Sequence, residues 1–353
     1  MAEMYKIDLK YYLYLPQSNF EVNKRIQNIL KFFVFLGIGA VLLWLVYKDQ
    51  DIGDLFARMR NIRWIWFVPA LAIALLSHVS RAMRWNLLLE SMGNYKPRLS
   101  NTFFAVMTMY FVNLAIPRLG EVTRSGIVSR YDKLPFSKVL GTMVTERATD
   151  IIMLLLITIV VMITKGSEVT NFIMNNPGFK ENLHFLFSPV FWIIFVLVSL
   201  AVLFLLYSVA KGKLDNYKVF KKTGNFLRNF FSGIKAVLRL RNPWKYIGHS
   251  LFIFLAYFLM LYLCFPAFDG MENIDIFAAL TIFAAGSFGM VAPAPNGMGA
   301  WHFMTIQTLL IFGVLEADAK LFALVVHGLQ TIMLVVVGLI SVIGLPLINR
   351  NRL

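Results

Sequence analysis

Three charged side chains interrupt an apolar stretch at residues 139–163. Glu146, Arg147 and Asp150 lie within the sequence TERATDIIMLLL. On a helix, Glu146 and Asp150 share a face, and Arg147 is close enough to reach Asp150. A charge inside a bilayer costs on the order of 3 kcal/mol unless it is paired or hydrated. We therefore expect all three side chains to face the protein interior, where they can find partners.

Two other stretches supply those partners. NLAIPRLGEVTR, residues 113–124, holds two arginines and a glutamate, and SRAMRW, residues 80–85, holds two more arginines. Five arginines set against three acids leave positive charge over, and a guanidinium group can bind phosphate through two parallel hydrogen bonds. This pattern predicts a pocket for an anionic headgroup, formed by Arg81, Arg84, Arg118, Arg124 and Arg147. The alternative is a set of ion pairs that orients helices, with the outermost arginines reaching lipid phosphates.

A second set of polar residues could order these arginines or carry protons. Glu121, Glu146 and Asp150 are the acids of the motifs that carry these arginines, and His302 and His327 lie in apolar segments of the second half. Because histidine titrates near neutral pH, the two histidines could form a proton relay. A hydrogen-bonded packing role is the more common one for such a histidine. No spacing of His, Cys and acids resembles a metal site, so we expect no metal and no cofactor.

The composition is typical of a membrane protein. Of the 353 residues, 58% are hydrophobic and only 15% are charged, whereas a soluble domain carries about 25% charged residues. Several apolar runs reach the roughly 20 residues that cross a hydrocarbon core. We predict an all-α polytopic membrane protein with seven to nine membrane segments. The candidate segments are 29–47, 64–88, 101–117, 139–163, 190–209, 244–265, 276–292, 300–315 and 321–346.

The net charge of +15 is explained by basic cytoplasmic loops, so we expect membrane lipids as partners and no nucleic acid. Residues 211–245 carry ten Lys/Arg, and residues 266–275 carry three acids and no base. We expect a cytoplasmic or interfacial segment at 1–28, one transmembrane domain at 29–348 and a cytoplasmic tail at 349–353. Within the domain, we expect residues 211–243 to form a basic amphipathic cytoplasmic loop. The expected location is the cell (inner or plasma) membrane.

The predicted orientations conflict around segment 101–117, which begins and ends on one side. A re-entrant element, in which the chain dips into the bilayer and returns, resolves this conflict; a plain span with an external N-terminus is the alternative. Breaks at corresponding places in two halves also point to an inverted repeat with a central site. The predicted breaks are Pro117 and Gly120 in the first half and Pro293, Pro295, Gly297 and Gly299 in GMVAPAPNGMGAWH.

Four motifs together resemble the transmembrane region of lysylphosphatidylglycerol synthases, which recurs as stand-alone flippase-like proteins. They are RAMRW, NLAIPRLGEVTR, TERATD and APAPNGMGAWH. The resemblance implies movement of a lipid with a charged headgroup between leaflets. Since we expect no soluble aminoacyltransferase domain in this chain, the synthase activity is not carried over, and we expect a protein that is not an enzyme. The chain departs from the common pattern at Trp301 and His302, where many relatives have Arg-Glu, and at His327, where they have Arg.

Two functions remain open at this point. The first is a lipid translocator for a phospholipid or polyprenyl-linked lipid. The second is a membrane enzyme, or an accessory subunit of a glycosyltransferase, that acts on lipid-linked sugar. In the second case Glu121, Glu146 and Asp150 would serve as base or metal ligands, although the interleaved arginines argue against a metal site.

Overall fold

The computed structural model describes residues 33–34, 36–50, 52–93, 96–175, 237, 240–292 and 294–350. Within these ranges the chain is helical and contains no strand, which confirms the predicted all-α class. The helices are α1 (Leu36–Tyr47), α2 (Ile52–Met59), α3 (Phe67–Glu90), α4 (Leu99–Ala115), α5 (Leu119–Asp132), α6 (Phe136–Asn175), α7 (Pro243–Tyr262), α8 (Ile276–Gly289), α9 (Ala300–Ile311) and α10 (Glu316–Ile348).

Four of these elements are long and apolar enough to cross a membrane. They are α3 with its preceding turn, α6, α7 with its following turn, and α10. Helices α1, α4 and α8 are apolar but shorter. At 1.5 Å per residue, α10 is about 50 Å long, which exceeds a hydrocarbon core of about 30 Å.

Helices α4 and α5 form a hairpin whose tip is residues 116–118. The helix breaks because Ile116 is extended and Arg118 adopts a left-handed conformation with φ 66°, on either side of Pro117. Gly120 then passes so close to α4 that a Cβ there would overlap the carbonyl oxygen of Met109. At the open end of the hairpin, Asn101 Nδ2 donates to Asp132 Oδ1 at 3.1 Å. The chain therefore enters and leaves this hairpin on one side.

Helices α8 and α9 form a second hairpin, joined by a turn at residues 290–299. A Cβ added to Gly289 would lie 2.8 Å from the carbonyl oxygen of Ala300, so the two helices touch near the tip. Three residues of the turn, Asn296, Gly297 and Gly299, have positive φ angles. Pro295 begins a short 3₁₀ turn within it, whereas Pro293 lies outside the described residues.

The two hairpins open at opposite ends of the molecule. End A holds the start of α4 and the last residues after α10, where Asn349 Nδ2 donates to Asn101 Oδ1 at 2.8 Å. End B holds the starts of α8 and α10, where Arg58 pairs with Asp318 at 3.0 Å. The tip of the second hairpin packs against α4, so the two hairpins meet between the ends.

Helix α8 begins at end B because Asp275 caps it. The Asp275 carboxylate accepts from the backbone N–H groups of Phe277 and Ala278 at 2.8 and 2.9 Å, and it pairs with Lys165 of α6 at 2.9 Å. These contacts, that of Lys165 foremost, hold the pKa of Asp275 below its usual range. The ion pair also ties α6 to the second hairpin.

The observed helices differ from the predicted segments in places. Helix α6 begins at Phe136, three residues before the predicted start, because Pro135 sets its first turn; Glu146 therefore lies about 15 Å along the helix rather than about 10 Å. Helices α8 and α9 end at Gly289 and Ile311, short of residues 292 and 315, because the turns after them begin earlier. Predictions for 1–28, 190–209 and most of 211–243 fall outside the described residues.

Replacing Gly120 with alanine tests the hairpin. We expect Gly120→Ala to destabilise the protein by about 1–3 kcal/mol, since the added methyl group meets backbone that cannot move aside. Gly126→Ala in the same helix is the matched control, because a Cβ there has nothing within 4 Å and alanine favours the helix. Thermal unfolding in detergent measures both. Equal melting temperatures for the two variants would contradict the close approach of α4 and α5.

Candidate functional site

Asp150 of α6 receives two arginines from α3. Arg81 Nη1 lies 3.1 Å from Asp150 Oδ2, and Arg84 Nη2 lies 2.8 Å from Asp150 Oδ1. Arg81 and Arg84 are one turn apart on α3, so their side chains reach the same carboxylate. Arg84 also donates to Ser250 Oγ of α7 at 3.2 Å. This contact joins three helices around one acid.

Glu146, one turn before Asp150 on α6, pairs with Arg124 of α5. The Glu146 side chain is 1% exposed and the Arg124 side chain is also 1% exposed. The Arg124 guanidinium stacks on the ring of Trp85 at 4.1 Å from the ring centroid, which is a favourable cation–π distance. Arg84 Nη2 lies 3.5 Å from Glu146 Oε1. The two acids of α6 are therefore connected through Arg84.

The third acid, Glu121, holds Arg147 at the edge of the cluster. Arg147 Nη2 donates to Glu121 Oε1 at 2.9 Å, and the Arg147 side chain is 48% exposed. Arg147 also lies 3.8 Å from Asp150. Asn113 Nδ2 donates to Glu121 Oε2 at 3.3 Å, while Asn113 Oδ1 accepts from the backbone N–H of Gly120 at 2.8 Å. The tip of the first hairpin thus fixes the position of Glu121.

Together these ion pairs form one arginine cluster with unequal charge. Four guanidinium groups (Arg81, Arg84, Arg124 and Arg147) face three carboxylates (Glu121, Glu146 and Asp150), so the arginine cluster carries one net positive charge at neutral pH. Arg84 Nε and both Nε and Nη1 of Arg124 are buried without a hydrogen-bond partner among the described residues. Positive charge and donor hydrogens therefore remain, and both suit an anionic oxygen ligand.

The predicted headgroup residues separate into three groups in the structure. Arg81, Arg84 and Arg124 are buried. Arg147 is half-exposed, so the expectation that all three charges of TERATD face the interior was wrong for this residue: its position on α6 turns it toward the tip of the first hairpin. Arg118 is exposed at that tip and forms no ion pair within the described part of the chain.

The two histidines come together in the second half of the chain. The rings of His302 and His327 lie 4.6 Å apart. His302 Nδ1 accepts from the backbone N–H of Gly299 at 3.3 Å, and His327 Nε2 lies 3.0 Å from the carbonyl oxygen of Asn296. These contacts tie the turn of the second hairpin to α9 and α10. Among the described residues, no hydrogen bond or ion pair joins this pair to the arginine cluster.

The sequence pattern missed several neutral residues that complete the cluster. Tyr257 accepts from Arg81 Nε at 3.2 Å and contacts the Tyr110 hydroxyl at 3.3 Å. Trp85, Asn113 and Ser250 also contact charged members directly. The tyrosines lie in apolar helices, where an aromatic residue is ordinary. The only available signal was that Tyr110 and Asn113 share a face of α4, three residues apart.

The arginine cluster does not resemble a metal site. Each carboxylate is occupied by at least one guanidinium group, and no group of three metal-ligating side chains is found among the residues that the structure describes. Hard divalent cations need several free oxygen ligands. The arrangement is suited instead to holding and orienting an anion.

The fold and the arginine cluster define a multi-pass helical membrane protein with an ionic site among its helices. A family model described as "Lysylphosphatidylglycerol synthase TM region" matches residues 28–338, and the chain belongs to this family, as its motifs indicated. It is thus a membrane protein related to lipid modification or transport. Comparisons with curated proteins and with solved structures returned no significant match.

Removing Glu146 tests the buried part of the arginine cluster. We expect Glu146→Ala to cost about 3–5 kcal/mol, because it leaves Arg124 charged and unpaired in the interior. The double variant Arg124→Met/Glu146→Leu should lose less stability, because it leaves no unpaired charge at these two positions. Thermal unfolding in detergent compares the two.

The control for this experiment is Glu168→Ala on the same helix. Glu168 pairs with Lys165 and is 44% exposed, and surface ion pairs contribute little, so its melting temperature should match that of the unmodified protein. A Glu146→Ala variant at least as stable as the double variant would contradict the assigned pairing.

Proposed function

We propose that this protein moves a lipid with an anionic, phosphate-bearing headgroup between the two leaflets of a cell membrane. The observation that carries the proposal is the uncompensated positive charge of the arginine cluster. An ion-pair network that only orients helices has no need of a fourth arginine. A phosphodiester headgroup bears one negative charge, which would neutralise the arginine cluster.

The arginines differ in their exposure to solvent, and the proposal assigns each a role on that basis. Arg147 is the accessible member and pairs with Glu121 of the first hairpin, and Arg118 at the tip of that hairpin is also exposed. In the proposal, Arg147 and Arg118 meet the headgroup first. Arg81, Arg84 and Arg124 lie behind them and supply the fixed positive field, with Glu146 and Asp150 holding their orientation.

Movement between leaflets requires a site that can face either side. The proposal treats the two hairpins as re-entrant elements of an inverted repeat in a domain of seven to nine membrane segments, with cytoplasmic termini. Supporting it, the hairpins open at opposite ends and the tip of the second hairpin packs against α4 of the first. In transporters with inverted repeats, broken helices at the midplane form the substrate site. Each hairpin has a break in its helix with positive φ angles, at Arg118 in the first and at Asn296, Gly297 and Gly299 in the second, as the proposal requires.

Lipid movement by the reconstituted protein tests this function. Purified full-length protein in liposomes should move fluorescent phosphatidylglycerol faster than protein-free liposomes do, measured by dithionite quenching of the outer leaflet. We expect Arg147→Gln to slow this movement by at least about tenfold, since a hydrogen bond to a charged group contributes about 1.5–3 kcal/mol. Arg147 is half-exposed, so the variant should fold.

Arg63→Gln is the matched control for lipid movement. Arg63 is also half-exposed and paired, with Asp269 at 3.1 Å, but it lies at end B. Its substitution should leave the rate unchanged. If wild-type protein moves neither phospholipids nor polyprenyl phosphates faster than protein-free liposomes do, the transport function is wrong. Turnover of lipid-linked sugar by the same preparation would then favour a membrane enzyme. Equal movement by wild type and Arg147→Gln would instead refute the role given to Arg147.

A further inference from the structure

Two tyrosines border the arginine cluster without belonging to its ion pairs. Tyr110 of α4 and Tyr257 of α7 are partly exposed, and their hydroxyl oxygens lie 3.3 Å apart. Arg81 Nε donates to the Tyr257 hydroxyl at 3.2 Å. Tyr110 lies one turn before Asn113 on α4, and Asn113 donates to Glu121, which pairs with Arg147. The tyrosine pair therefore connects the buried Arg81 with the side of the arginine cluster that Arg147 occupies.

One of the two hydroxyl hydrogens of this pair has no acceptor among the described residues. A guanidinium group can only donate, so Tyr257 is the acceptor of the bond from Arg81. The two tyrosines have two hydroxyl hydrogens, and the bond between them uses one, whichever tyrosine donates it. Within the described ranges no acceptor takes the other. His78 packs on Tyr110 with ring centroids 4.7 Å apart, yet its Nδ1 is not hydrogen-bonded to either hydroxyl.

A spare hydroxyl donor beside surplus positive charge suits one kind of ligand atom. A phosphoryl oxygen accepts hydrogen bonds and carries negative charge, and such bonds are shorter and stronger than neutral ones. An amine or ammonium group would instead need acceptors, and the carboxylates near the tyrosines already accept from arginines. Tyr110 and Asn113 are three residues apart on α4, so a headgroup held by Arg147 beside Asn113 would lie about one helical turn from the tyrosine pair.

We infer that the Tyr110–Tyr257 pair donates a hydrogen bond to a phosphoryl oxygen of the ligand and thereby selects phosphate-bearing headgroups. This inference rests on the proposed function, because it assigns the ligand class of the same site. Either tyrosine can supply the hydrogen, since each keeps a free hydroxyl hydrogen when its partner lacks one. Because either tyrosine can donate, each single variant should keep the hydrogen bond and only the double variant should lose it.

The experiment compares Tyr110→Phe, Tyr257→Phe and the double variant. Full-length protein in detergent is titrated by calorimetry with short-chain phosphatidylglycerol, with its soluble headgroup glycerophosphoglycerol, and with inorganic phosphate. We expect each single variant to bind the lipid within about threefold of wild type. The double variant should bind it at least about tenfold more weakly, the loss expected for a hydrogen bond of about 1.5 kcal/mol to a charged group.

Tyr262→Phe is the matched control. Tyr262 lies on the same helix as Tyr257 and packs against the rings of Phe258 and Phe265, so its substitution should leave the affinity unchanged. A parallel loss for the lipid and for its soluble headgroup identifies the headgroup phosphate as the bound group. A loss confined to inorganic phosphate identifies a free-phosphate site instead and overturns the assignment to a lipid.

The possible failures are distinguishable. If wild type binds lipid and the double variant binds it equally well, the tyrosine inference is wrong and the proposed function stands. If wild type binds none of the three ligands, both are wrong. Should the double variant not fold, fluorine NMR of 3-fluorotyrosine-labelled wild type replaces it. Lipid should then shift the signals of Tyr110 and Tyr257 but not that of Tyr262, and equal shifts at all three would refute the inference.

Discussion

The pairing of buried arginines with the two acids of α6 is the interaction on which the remainder of the structure depends. Glu146 and Asp150 lie in the interior of a membrane protein, where an unpaired charge is costly. They receive Arg124 from α5 and Arg81 and Arg84 from α3. Satisfying two acids therefore requires α3, the first hairpin and α6 to meet at one place, with α7 contributing Ser250 and Tyr257.

The same requirement explains why the chain breaks where it does. Arg124 can reach Glu146 because α4 stops at Ala115 and α5 returns beside it, with Gly120 against the α4 backbone. Backbone groups that are not helical at membrane depth need hydrogen-bond partners from the protein. At the first tip, Asn113 accepts a hydrogen bond from the backbone N–H of Gly120. At the second tip, His302 and His327 contact the backbone of the turn. The turn at the second tip, residues 290–299, contains no charged residue.

Much of this could be predicted from sequence because the signals were local. Apolar run length predicted the long helices, and the cost of charge in a bilayer predicted that Glu146 and Asp150 have partners. The partly exposed position of Arg147 and the tyrosine pair could not be predicted, because they depend on how α4, α6 and α7 rotate against each other. Sequence spacing also does not predict which arginine pairs with which acid. Asp150 forms close ion pairs with Arg81 and Arg84 of α3, whereas Arg147, its neighbour on α6, lies farther away at 3.8 Å.

The proposed function requires that Arg147, the accessible member of the arginine cluster, holds an anionic headgroup. Native mass spectrometry of the lipids that stay bound after gentle extraction would detect that contact without a transport assay. Wild-type protein should retain lipids with a phosphodiester headgroup, and Arg147→Gln should lose them while keeping its fold. Retention of the same lipids in the same amounts by both proteins would contradict the claim, because the arginine cluster would then have no part in binding.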